Sequence, residues 1–365
     1  MKTSVDSADQ RIFLLTPPFS QRSSHDILGK KTAVSLTDGG LRCETHDLWP
    51  DAIAALLTRG KIPFGRRMLA FLIAPYTVSS IFRRLKRGDT AWILGPAVPM
   101  QNSPSLELSL KKRGVRYIFH VIDDWFSLPA YRTMALRRSR LADLIVTPTE
   151  ALVCKVRAEV PSANVIKLEE PIDVRRVSPP QIYRSLSPPR LVWIGNPYNL
   201  RFIGTVTDAL HSLSQSHDFI LRIISARPPE TEYPFRTEWL KYSYHSESSM
   251  LAGATAGLSP LEDTPYNRAK GIYKVKTYMA AGIPVVGSNI GYQKELVVHG
   301  KSGFLCNSDN DWVHNLSALL SNPSLARRMG SEARSIAVSR FSHDAVQDTW
   351  IEAVRSLYGQ TSHGD

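Results

Sequence analysis

Asn267, Arg268 and Lys270 crowd a polar loop that empties onto a helix signal running from about Gly271 to Ala281. Gly282 fits the C-cap of that helix and Ile283-Pro284 stops it, after which Val285-Val286 begins a strand. The first backbone N–H groups of a helix have no partner inside it, and its dipole is positive at that end. The N–H groups at Gly271 and Ile272 therefore favour the same kind of ligand as the Arg268 guanidinium and the Lys270 ammonium, with Lys274 one turn further in. The combination suits an anion such as a diphosphate. A solvated basic loop ahead of an ordinary surface helix fits the same residues about as well. In the first reading, Arg268 and Lys270 stabilise charge that builds on a leaving group, while Asn267, Gly271, Ile272 and Lys274 bind it.

Two other stretches place reactive side chains at the ends of strand signals. His120-Val121-Ile122-Asp123-Asp124-Trp125 closes one of them. His120 and Asp123 there are positioned to touch a hydroxyl or to act as a base, because ligands of doubly wound sheets lie beyond the carboxyl ends of strands. A turn capped by Asp124 or Ser127 explains the same residues structurally. Arg190-Leu191-Val192-Trp193-Ile194-Gly195 is the second such strand. Gly195 permits close backbone approach, Asn196 opens the turn, and Arg201 sits near the next helix start.

The elements that hold these residues alternate between strand and helix, as an open parallel α/β sheet requires. Strand signals fall at Arg11–Thr16, closed by Pro17-Pro18, and at Thr90–Gly95, Tyr117–Ile122, Leu144–Thr147 and Phe219–Ile224. No G-x-G-x-x-G follows the first strand, so no dinucleotide cofactor is expected there. At 365 residues with 43% hydrophobic content, two domains with real cores are expected. The Pro- and Ser-rich stretch from Pro171 to Pro189 reads as their linker, which divides the chain into 1–183, 184–343 and a final helix at 344–365. Cys43, Cys154 and Cys306 lack metal spacing, and the N-terminus lacks an apolar core, so a cytoplasmic protein with no metal site and no secretory signal is expected.

The net charge of +12 invites phosphorylated ligands, an anionic membrane surface or nucleic acid. No nucleic-acid motif accompanies the basic clusters, so nucleic acid is set aside. Phe64 to Arg87 carries apolar residues flanked by Arg66-Arg67 and by Arg83, Arg84, Lys86 and Arg87. It is too short and too interrupted to span a bilayer. It suits either a helix lying among lipid headgroups or a core helix with solvated ends.

Lys274 followed by Tyr278-Met279-Ala280-Ala281-Gly282-Ile283-Pro284-Val285-Val286 resembles the nucleotide-sugar segment of the retaining GT-B glycosyltransferases of family 4. Gly291-Tyr292-Gln293-Lys294-Glu295-Leu296-Val297 and Gly300-Lys301-Ser302-Gly303-Phe304-Leu305 look like the same group's continuation. The likeness is dense from about 190 to 345 and thin before that. It implies two Rossmann-like domains facing each other across a cleft, with the donor on the second and the acceptor on the first. It also implies metal-independent retaining transfer of a sugar, with a nucleoside-diphosphate sugar as co-substrate and no further cofactor. A glycan or lipid-linked acceptor in polysaccharide assembly would then follow. In such proteins the Gly-ended strand faces the diphosphate, which implicates Gly195, and the base docks near a turn like that at Tyr242-Ser243.

One feature departs from that pattern. The family's pair of glutamates across the cradle helix aligns with Ala269 and Thr277, neither of which replaces a charged acceptor of hydroxyl hydrogen bonds. Glu262 and Asp263 lie close by as substitutes. The loss leaves a second reading, a catalytically silent protein that binds a nucleotide sugar or a glycan as a scaffold. A third reading, weaker, is a sugar-nucleotide epimerase on the same fold.

Overall fold

The computed structural model describes residues 11–16, 27–50, 53, 64–95, 103–179 and 186–358. Pro17-Pro18, the middle of the expected linker and both chain ends lie outside these residues. The chain divides into two compact units. One runs to Pro171 and takes back residues from Val346 onward; the other is Ile172–Ala345. Ile172 belongs to the second because its N–H donates to Phe341 O at 2.7 Å and Arg334 grips the Val174 and Val177 carbonyls. The break therefore falls at the very start of the Pro- and Ser-rich stretch, between Pro171 and Ile172.

The first unit is a sheet of six parallel strands: β1 (Arg11–Thr16), β2 (Arg42–Asp47), β3 (Thr90–Leu94), β4 (Arg116–His120), β5 (Leu144–Thr147) and β6 (Val165–Lys167), in the order β2-β1-β3-β4-β5-β6. β1, β3, β4 and β5 are almost wholly buried, the near-continuous apolar runs of a sheet covered on both faces. The His343–Ser356 helix, which crosses into this unit at Val346, stacks Trp350 on Trp92 at 4.7 Å between centroids. Its indole N–H donates to Glu169 O at 2.8 Å.

The second unit repeats the plan with β7 (Arg190–Ile194), β8 (Ile220–Ser225), β9 (Thr237–Lys241), β10 (Ala254–Ser259), β11 (Val285–Ser288) and β12 (Gly303–Cys306), ordered β12-β11-β10-β7-β8-β9. Side chains alternate across this sheet. Val192 and Ile194 join one buried cluster with the Tyr273–Ala280 and Pro323–Phe341 helices. Leu191 and Trp193 join another, against the Thr207–Ser214 and Asp309–Ser321 helices. From β7 the chain builds outward one way through β8 and β9, then returns to β10 and builds the other way. The order reverses between β7 and β10, and a crevice opens beyond strands that part in this manner.

Candidate functional site

Tyr278 fixes the reversal point. Its hydroxyl accepts the Ile194 N–H at 2.8 Å and donates to Leu258 O at 3.2 Å, which ties the carboxyl ends of β7 and β10 together. Gly257 has no side chain because the Tyr278 ring lies where its Cβ would be, 2.4 Å away. Tyr278→Phe should cost about 1–3 kcal/mol in a urea melt, the usual penalty for unpairing buried backbone groups. Wild-type stability would mean that this hydroxyl does not hold the two strands.

The loop beyond β10 is partly helical. Pro265–Ala269 forms a short helix with Pro265 in its first turn, capped by the Thr264 hydroxyl on the Asn267 N–H at 3.2 Å. Placing the loop residues on a helix separates them. Asn267 turns inward, 2% exposed, and its amide donates to Glu262 O at 2.9 Å. Arg268, one residue on, turns out to solvent and is gripped bidentately by Asp263 at 2.5 and 2.8 Å. That pairing holds the Asp263 carboxyl below its usual range and also takes up the carboxylate expected to substitute for a lost glutamate. The convergence of Arg268 with the other cations, expected from sequence, is not what the helix produces. Lys270 places its Nζ 5.3 Å from the Phe202 ring centroid and 5.0 Å from that of Tyr266. Arg201 covers the same Phe202 ring at 4.9 Å and stacks on Tyr198 at 4.6 Å.

Between the two helices, Ile272 adopts a left-handed conformation at φ 48°, ψ 55°. For a β-branched residue this is strained by about 1–3 kcal/mol, and such strain persists where the surroundings impose it. Gly291, from the second motif, holds the segment from behind. At φ +51° its would-be Cβ lies 2.5 Å from Arg268 O, so only glycine lets the two backbones approach this closely.

Lys274 is the centre of the arrangement. Its Nζ is buried, lies 4.3 Å from the Trp193 ring centroid and has no hydrogen-bond partner. Burial, helped by neighbouring Lys270, lowers its pKa to about 7. Other buried polar atoms without partners occur on the same elements: Asn267 Oδ1, Trp193 Nε1, Ser259 Oγ at the end of β10, and the Gln293 amide that abuts Gly287 on β11. Buried polar groups are ordinarily paired, so a cluster of unpaired ones beside strand ends is the mark of a site for a polar ligand. Trp193 and Gln293 went unsingled in the sequence. Trp193 reads there as core, and Gln293 sits inside a motif whose glutamate draws the eye.

Gly195 ends β7, its N–H donating to Ile224 O at 3.0 Å, and Asn196 Oδ1 caps the next turn through the Tyr198 N–H at 3.1 Å. Thr277 is buried, and its hydroxyl turns back to Tyr273 O at 3.3 Å. Ala269 beside it is also buried. Tyr242 follows β9, its N–H donating to Ser225 O at 2.9 Å. Gly271 and Ile272 are both buried at the start of the Tyr273–Ala280 helix.

In the first unit, His120 is covered rather than open at the end of β4. It is 0% exposed, lies about 6 Å from the Trp92 and Trp350 rings, and has its Nε2 3.7 Å from Glu170 Oε1. Burial pulls its pKa down to about 3, so the ring is neutral, and neither ring nitrogen has a hydrogen-bond partner. The helix returning at Val346 closes over it, which the strand signal alone did not reveal. Asp123 remains partly exposed past β4, while Asp124 caps the following turn through the Ser127 N–H at 3.1 Å. Among the described residues no group of three His, Cys, Asp or Glu side chains is placed to hold a metal.

Residues 277–336 match the family model described as Glycosyl transferases group 1. The fold is similar to the sucrose-phosphate synthase of Thermosynechococcus elongatus, with a TM-score of 0.68 and 12% identity, covering 96% of this chain and 100% of that one. It is also similar to Anabaena HepE solved with UDP and glucose, with a TM-score of 0.66 and 16% identity over 95% and 100% of the two chains. TarM matches at 0.59 and 12% identity, over 75% of this chain and 55% of its own. No curated protein sequence matches the chain. The chain thus has the GT-B fold, and the segment that matches Glycosyl transferases group 1 begins inside the helix bearing Lys274.

Proposed function

We propose that this protein transfers a sugar from a nucleoside-diphosphate donor to a glycan or lipid-linked acceptor, with retention at the anomeric carbon. The observation that carries the reading is the buried, unpartnered Lys274 ammonium at the reversal point between β7 and β10, with Lys270 and Arg201 both over the nearby Phe202 ring. A leaving diphosphate there is neutralised by the two lysines and by the first N–H groups of the Tyr273–Ala280 helix. Preorganised charge of this kind stabilises a transition state without reorganising when charge develops. Arg268 serves the cradle through its backbone, which packs on Gly291, rather than through its guanidinium. Asp123, partly exposed past β4, is the first unit's candidate for a sugar hydroxyl. The HepE structures hold UDP with glucose and UDP-glucose, so UDP-sugars are the first donors to try.

A second reading rests on a specific observation. Ala269 and Thr277 stand where the resembled family carries glutamates, and Thr277 spends its hydroxyl on its own helix. A binding protein without turnover follows if no other group takes the glutamates' part. Release of nucleoside diphosphate, measured over a panel of donors and acceptors, separates the two. Turnover with at least one donor is the expected result. Measurable binding with no turnover for any donor would replace the enzyme with the scaffold.

A further inference from the structure

The Phe64–Arg84 helix of the first unit presents apolar side chains on both of its sides. Ala74, Val78 and Phe82 are buried in the core. On the opposite face, Met68 (44%), Leu69 (53%), Leu72 (71%), Ile73 (38%) and Tyr76 (70%) are exposed. At 100° per residue these five fall on a single stripe, which continues through exposed Ser80 into Arg83. An isolated exposed leucine needs no explanation, but a contiguous stripe of large apolar side chains does. The helix contains no Asp or Glu. Its last turn and the residues after it supply the exposed cations Arg83, Arg84, Lys86 and Arg87. Arg83 lies 5.8 Å from the Tyr76 ring centroid, and Arg84 shares Glu44 at 3.4 Å. Among the described residues, no helix is long and apolar enough to cross a membrane.

We infer that this face docks onto an anionic lipid surface, with Leu72 and Tyr76 at the centre of the inserted stripe and Arg83, Lys86 and Arg87 among the headgroups. Charge selects the occupant. A second copy would bring another +12 chain against this one, whereas acidic lipid neutralises the cations that flank the stripe. A helix that is apolar along one side and basic at its end lies in the interface rather than through it.

The test is co-sedimentation with phosphatidylcholine vesicles that contain or lack 30% phosphatidylserine (on the order of the acidic content used to mimic a cytoplasmic leaflet). Binding is expected to the acidic vesicles only, and to weaken with added salt. Leu72→Ser/Tyr76→Ser should reduce it by about tenfold or more, and Arg83→Gln/Lys86→Gln/Arg87→Gln by about fivefold for each charge removed. All five side chains are exposed, and unchanged circular dichroism and melting confirm that the variants fold. Absence of wild-type binding, or full binding by the apolar double variant, overturns the inference. A dimer in sedimentation velocity that the same double variant abolishes also overturns it, by assigning the stripe to a second copy. None of these readouts depends on sugar transfer.

Discussion

Lys274→Met is expected to slow sugar transfer by about 10²-fold, the scale of a lost preorganised donor, while making the folded protein more stable at neutral pH. The two effects have one cause. Burial lowers the Lys274 pKa from 10.5 to about 7. Between these values the unfolded chain holds a proton that the folded chain lacks, so the stability penalty is fully present below about pH 7 and is relieved as pH rises toward 10.5. Methionine keeps the apolar stem against Trp193 and removes the penalty. A melting temperature at pH 6 that rises in the variant, together with a slower rate, is therefore the expected pattern. A variant that is both less stable and equally fast would make Lys274 a core residue with no part in the site.

Arg138→Met should be the most damaging single change in the first unit, at about 3–5 kcal/mol. The Arg138 Nε donates to Glu107 Oε1 at 2.6 Å, and both side chains are at most 1% exposed. Removing one partner strands a buried carboxylate, and it also unpins the Pro129–Leu141 helix from Ser105–Lys112. Replacing both, as Glu107→Leu with Arg138→Met, should recover most of the loss, because a well-packed apolar pair avoids the desolvation cost. Chemical denaturation of the two variants reads this directly. A single variant within about 1 kcal/mol of wild type would show that the pair contributes little.

Arg138 also illustrates what a sequence conceals. Arg137-Arg138-Arg140 reads as one basic cluster, yet the helix turns the middle residue into the core. The same rotation separates Asn267 from Arg268, because adjacent residues on even a single turn of helix face different ways. What was legible followed from periodicity and punctuation. Buried parallel strands leave apolar runs such as Leu191–Ile194 and Leu144–Val146; Gly195 marks the end of the first run, and Gly282 the end of the Tyr273–Ala280 helix. Edge strand β2 is hidden because Arg42–Asp47 carries almost no apolar residues, and edge strand β9 (Thr237–Lys241) because charged and polar residues alternate with its few apolar ones. His120 was legible as a strand-end residue but not as a covered one, since its cover comes from Trp350, far along the chain.

Proton-linked calorimetry of UDP binding near pH 8, in buffers of different ionisation enthalpy, probes the cradle most directly. A phosphate's second pKa of about 6 leaves the ligand fully ionised there, so any proton taken up enters the protein. If Lys274 recharges to meet the diphosphate, binding takes up about one proton in the wild type and close to none in Lys274→Met. Binding of equal strength in both proteins with no proton uptake, or no binding by UDP or any other nucleoside diphosphate, would contradict a diphosphate site at Lys274.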